Sequence, residues 1–140
     1  MIEKVLLDAG PLAAFVNPRD EWHEWTRSQF GEIVPPLLTC ESVLSEACFV
    51  ARRAPGGVDA ILGLAERGVI ELDFSLKEQF GEVVALMRRY SNVPMSLADA
   101  CLVRMSELMA DSVVLTLDRD FRVYRRHRRQ KIPLLIPPEL

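Results

Sequence analysis

Short apolar runs alternate with stretches of helical spacing along the whole chain, and that alternation restricts the fold more than any other feature. Val5-Leu6-Leu7 is closed by Asp8-Ala9-Gly10-Pro11, a strand followed by turn residues. Pro11 suits a helix start, where its missing N–H costs nothing. Asp20 is placed to cap a helix through Trp22, Trp25 and Phe30. Pro35–Thr39 predicts a second strand, with its prolines confined to a strand start or an edge. In Glu41–Arg52, Val43, Leu44, Ala47, Val50 and Ala51 share one side at 3.6-residue spacing. Pro55-Gly56-Gly57 breaks that helix, and Val58–Glu66 forms another before Gly68. Val69–Phe74 predicts a third strand. Helices over Leu76–Arg89 and from Ser96 onward follow, then strands at Val113–Leu117 and Ile132–Ile136. Strands alternating with helices predict an α/β fold, a parallel β-sheet flanked by helices on both faces. In such sheets ligands bind beyond the carboxyl ends of the strands.

At 140 residues the chain reads as one domain over 1–140. A chain of that size buries about two thirds of its unfolded surface, and 49% apolar residues exclude a disordered class. No apolar run approaches the roughly 18 residues of a membrane span. Asp8 comes too early for a signal-peptide core. Cys40, Cys48 and Cys101 form no CxxC pair, and with His23 and His127 they assemble no zinc spacing. They read as small buried side chains in a reducing, cytoplasmic compartment. The net charge of −3 hides an asymmetry. Residues 119–131 hold seven basic side chains against Asp120, giving +6 and leaving −9 on the rest. An acidic body with a basic arm suggests a polyanionic partner.

Carboxylates stand where the fold places its chemistry. Asp8 ends the first strand, and Asp118 follows Val113–Leu117 in V-V-L-T-L-D-R-D-F. Asp99 lies in the first turn of the Ser96 helix, and on a helical wheel Glu46, not Glu41, falls at the edge of the buried face. Each has an ordinary reading: Ser96 and Asp99 form a capping-box-like S-x-x-D, Asp8 beside Gly10 is a turn residue, and Glu46 is a solvated helix position. Together they are harder to dismiss, because clustered carboxylates raise one another's pKa and cost stability without a cation. Oxygen donors with neither histidine nor thiolate suit Mg²⁺ or Mn²⁺.

L-L-D-A-G-P-L-A-A, Glu46 in L-S-E-A, Asp99 in S-L-A-D-A and T-L-D-R-D-F together resemble the PIN domain family over essentially the whole chain. Length and spacing are most similar to its VapC-type toxins. The resemblance implies a Rossmann-like α/β/α sandwich and a Mg²⁺- or Mn²⁺-dependent ribonuclease, commonly a homodimer, whose site a cognate antitoxin blocks. It implies a catalytic quartet of Asp8, Glu46, Asp99 and Asp118. Asp8, Asp99 and Asp118 would be metal ligands, Glu46 a ligand or the group that orients water, and Asp120 an outer helper. Thr116 matches the polar residue two before the last acid and would hydrogen-bond near the metal on the substrate side. The tail is more basic than the family pattern requires.

Without a candidate covalent nucleophile, direct hydrolysis leaving a 5′-phosphate and a 3′-hydroxyl is the simplest expectation. An acidic pocket repels RNA, so phosphate affinity falls to nearby cations, and Arg119, Arg122, Arg125 and Arg126 lie closest to Asp118. The other reading of that segment is a solvated loop. Trp22 and Trp25 share a helix face that reads as core, or, if exposed, as a dimer or antitoxin groove. Two enzymatic rivals fail on motifs. No GxGxxG follows the first strand, and a haloacid-dehalogenase-like phosphatase would carry a second aspartate where Gly10 stands. A catalytically silent PIN-like module that binds RNA or protein is the alternative from another class.

Overall fold

The computed structural model describes residues 3–140. The chain runs β1 (Lys4–Leu7), α1 (Ala9–Phe15), α2 (His23–Glu32), β2 (Leu37–Thr39), α3 (Glu41–Ala51), α4 (Gly57–Glu66), β3 (Ile70–Leu72), α5 (Leu76–Arg89), α6 (Leu97–Leu108) and β4 (Ser112–Leu115). A 3-10 helix (Arg119–Arg122), a small hairpin of β5 (Arg125–Arg126) and β6 (Gln130–Lys131), and β7 (Leu134–Leu135) complete it.

Five strands form one sheet in the order β3-β2-β1-β4-β7. All four pairings are parallel, with Leu6 opposite both Leu38 and Val114. Successive strand residues face opposite sides of a sheet. Leu6 and Leu7 are both fully buried, as are Val114 and Leu115, so both faces of the central strands are covered. That is the environment of an α/β sandwich, and it explains why these strands read as unbroken apolar runs. The prolines at 35 and 36 precede β2, an interior strand, so they occupy a strand start and not an edge.

Helix boundaries follow local chemistry. Asp8 caps α1, its Oδ1 accepting the Ala9 N–H at 2.8 Å, with Pro11 in the first turn where no helical acceptor is lost. Ser75 Oγ accepts from the Glu78 N–H at the start of α5, and Ser96 Oγ from the Asp99 N–H at the start of α6. Asp20 acts one step earlier than expected, its Oδ1 accepting the Trp22 N–H before α2 begins. Trp22 and Trp25 are half-buried, and Trp25 packs against the core. Cys40 and Cys101 are buried and all three cysteines are free thiols.

The basic segment is more ordered than a solvated loop. Phe121 and Tyr124, three residues apart, are fully buried and edge-to-face at 5.2 Å between ring centroids, and Tyr124 makes the same contact with Tyr90. These aromatics pin the arm to α6 while its arginines stay near the surface. At the hairpin tip His127 and Arg128 adopt φ of 50° and 70°, the left-handed geometry that tight hairpin turns require. Among the described residues no helix is long and apolar enough to cross a membrane.

Candidate active site

After β1 the chain moves to β2 and β3 on one side, and later returns through β4 and β7 on the other. The strand order therefore reverses between β1 and β4, and loops leaving their carboxyl ends open a crevice. Asp8 and Asp118 sit on those two loops. Asp8, Ala9, Gly10, Glu46, Val50, Asp99, Leu117, Asp118, Arg119 and Leu140 line one open cleft of about 430 Å³ there.

Asp8 is 6% exposed. Beyond its capping bond, its Oδ2 accepts from Thr116 Oγ1 at 2.7 Å, and the same hydroxyl accepts the Asp118 N–H at 2.9 Å. Thr116 is fully buried, so it locks the first and last acids of the quartet into one geometry. Burial raises the Asp8 pKa to about 7, helped by the charges of Asp99 and Asp118 and opposed by the Thr116 and Ala9 hydrogen bonds. Asp99 Oδ2 accepts from the hydroxyl of the buried Tyr124 at 2.9 Å. Its pKa is also raised, by burial first and then by Asp118, against the Tyr124 bond. The same interaction pushes the Tyr124 phenol upward, after the larger effect of burial. Asp118 Oδ1 accepts the Asp120 N–H at 2.8 Å, capping the 3-10 helix. Glu46 reaches the cleft from α3 on an exposed position. Partial burial, then Asp99 and Asp118, raise its pKa.

The four acids expected from the sequence thus share one cleft, and Arg119 lines it with them. Other sequence-derived candidates stand elsewhere. Thr116 is too buried to touch a substrate and acts through Asp8 and Asp118. Asp120 stands behind Asp118 and off the cleft lining. Arg122 binds the Leu140 carbonyl through Nε at 3.0 Å, on the rim. Arg125 and Arg126 spend their guanidinium groups on backbone. Arg125 Nη1 donates to the Arg122, Val123 and Tyr124 carbonyls, and Arg126 reaches those of Ser106 and Ala110. The residue that sequence reasoning missed is Tyr124. Its signal was an aromatic spaced three from Phe121 inside a run of arginines.

Among the described residues no three acidic, histidine or cysteine side chains stand in a ready-made coordination cage. The quartet instead lines the walls of an open cleft, as mutually repelling carboxylates would. None of the four acids has an ion-pair partner among the described residues. A hard divalent cation suits this set. It takes oxygen donors, neutralises charges that no lysine or arginine pairs, and offsets the burial penalty on Asp8.

A model of the PIN domain matches residues 5–127. Comparison with curated proteins gave no match. Among solved structures, VapC20 of Mycobacterium tuberculosis, a toxin that cleaves the sarcin-ricin loop, superposes with a TM-score of 0.77 at 17% identity. The match covers 86% of this chain and 94% of that one.

Proposed function

The chain belongs to the PIN domain family, and on that premise we propose that it is a divalent-metal-dependent endoribonuclease, the toxin of a toxin–antitoxin pair. One observation carries the proposal: Asp8, Glu46, Asp99 and Asp118, from four separate elements, face one cleft at the point where the sheet reverses order. Mg²⁺ or Mn²⁺ bound there would supply a water of lowered pKa and positive charge beside the scissile phosphate.

The chain's own groups account for the rest. Asp8, Asp99 and Asp118 are the proposed ligands, Asp99 and Asp118 each with one carboxylate oxygen fixed by a protein donor and Asp8 with both, so the set is pre-oriented. Glu46 accepts no hydrogen bond from the protein among the described residues, which leaves its carboxylate free to orient the attacking water and receive its proton. Arg119, at the same cleft, is placed to hold a non-bridging phosphate oxygen. Thr116 and Tyr124 act as positioning residues behind Asp8 and Asp99. Exposed Phe49 and Val50 on α3 and Leu97 on α6 leave apolar surface next to Glu46, where an antitoxin or a second copy of the chain would dock.

Cleavage of a mixed RNA pool, with a sarcin-ricin-type hairpin among its members, tests the reading with Mg²⁺, Mn²⁺ or EDTA. The expected result is metal-dependent cutting that Asp8→Asn and Asp99→Asn abolish and EDTA stops. A well-folded protein that cuts nothing, and whose melting temperature divalent ions leave unchanged, would instead be a binding module.

A further inference from the structure

Beside the acidic cleft lies a second cavity of quite different chemistry. It measures about 290 Å³ and is walled by Phe121, Arg122, Lys131, Ile132, Leu134 and Ile136. Its lining holds two cations and no acidic side chain, and neither cation pairs with an Asp or Glu side chain among the described residues. Among the described residues Arg122 commits only Nε, to the Leu140 main-chain oxygen, both its Nη groups have no protein acceptor, and Lys131 makes no side-chain hydrogen bond. Arg125 and Arg126, a few residues away, turn their Nη groups onto main-chain carbonyls, Arg125 through Nη1 and Arg126 through Nη1 and Nη2, whereas both Nη groups of Arg122 face no such acceptor among the described residues. The floor of the cavity is apolar, formed by Phe121, Ile132, Leu134 and Ile136.

The two cavities share no lining residue, but residues that touch or neighbour one another line the two. Arg119 lines the acidic cleft and Arg122 the cationic one, and side chains three apart on a 3-10 helix eclipse one another. Leu140, which Arg122 holds, is itself part of the cleft wall. A polyanion leaving the carboxylates would meet Arg119, then Arg122, then Lys131. Two cations lining one cavity repel each other, and an anion between them removes that cost.

Resting on the ribonuclease reading above, we propose that this cavity is a subsite for the nucleotide next to the scissile phosphate. Arg122 and Lys131 hold its phosphate, and its sugar and base lie on Ile132, Leu134 and Ile136. The cleft itself, with four acids, supplies little affinity for RNA, so this neighbouring subsite anchors the strand.

The test reads binding without cleavage. Full-length Asp99→Asn protein with Mg²⁺ is titrated against a 5′-fluorescein-labelled, mixed-sequence ribohexanucleotide by anisotropy, over a series of salt concentrations. Arg122→Ala and Lys131→Ala are each expected to weaken binding about tenfold and to lower the log–log salt slope by about 1. Arg129→Ala, which removes the same charge from the exposed hairpin tip, is expected to change binding less than about twofold. Uridine 3′,5′-bisphosphate should compete in the parent and not in the Arg122→Ala/Lys131→Ala protein. Equal losses at all three positions would mean a diffuse field with no subsite, and loss at neither Arg122 nor Lys131, or no binding by the parent, also overturns the proposal. Melting temperatures of the variants separate loss of binding from loss of fold. If cleavage fails while binding depends on Arg122 and Lys131, the nuclease reading falls and the cavity stands as a nucleotide-binding site with no scissile phosphate beside it. If cleavage succeeds and binding ignores them, the subsite alone falls.

Discussion

Tyr124 shows how a side chain outside the cleft can govern one of the proposed metal ligands. Its ring is packed between Phe121 and Tyr90, and its hydroxyl ends on Asp99 Oδ2. Tyr124→Phe keeps the ring and deletes one donor, and Asp99 then loses the hydrogen bond that opposes its raised pKa. We expect a destabilisation of about 1 kcal/mol, the usual net worth of such a bond. Divalent-ion affinity should fall on the order of tenfold, as it does when a ligand's supporting partner is removed. Melting curves and a Mg²⁺ titration followed by melting temperature would measure both. Affinity equal to wild type would show that Asp99 is held without Tyr124. Asp99 was legible as a candidate because its cap and first-turn position are local. Tyr124 lies 25 residues on, and nothing in the intervening sequence announces the pairing.

Individual elements were largely legible because their determinants lie within a turn or two of the residues concerned. Ser75 and Ser96 cap the helices they precede. The apolar spacing of α3 and α5 matches the buried faces only in part: Val43, Ala47, Ala51 and Val83 are buried, whereas Val50 and Phe80 are more than half exposed. The basic arm was not legible in the same way. Its charges suggested a phosphate-binding arm, with a solvated loop as the other reading, and neither showed that Phe121 and Tyr124 fold it into a 3-10 helix and hairpin. Two glycines separate local preference from packing. Gly57 opens α4 against the end of α3, and a Cβ there would lie 2.6 Å from the Ala51 carbonyl oxygen and 3.2 Å from Ala54 Cβ. Gly57→Ala should therefore cost roughly 1–3 kcal/mol through overpacking. Gly31 in α2 has nothing within 4 Å of such a Cβ. Gly31→Ala should stabilise by about 0.5–1 kcal/mol, the helix-propensity difference. Urea denaturation of the two variants checks the contrast, and effects of the same sign would contradict it.

At the scale of the molecule, the carboxylate cleft should couple stability to pH and, on the proposed function, to divalent cations. Asp8 has a folded pKa of about 7 against an ordinary 3.8. Between those values the folded protein holds a proton that the unfolded chain has released. Its favourable contribution is thus complete below about 3.8 and lost as pH rises through about 7, a span of roughly 4 kcal/mol at most. Asp99 and Glu46 are shifted in the same direction. The metal-free protein should melt at a higher temperature at pH 5.5 than at pH 8. Mg²⁺ should raise the melting temperature more at pH 8, where the ion does not compete with protons for the carboxylates. A metal-free protein that is more stable at pH 8, with the same Mg²⁺ effect at both values, would show that these acids are not buried together. The placement behind this behaviour divides between sequence and fold. The sequence alone determined the alternation of strands and helices outside the basic arm, and that acids follow the first strand and the Val113–Leu117 run, because period, caps and turn residues act over a few positions. It could not show that Thr116 and Asp8, 108 residues apart, share a hydrogen bond, or that Arg125 and Arg126 bind backbone while Arg119 and Arg122 border the cavities. Those facts depend on sheet order and on which side chains find partners across the fold, and only packing of the whole chain decides them.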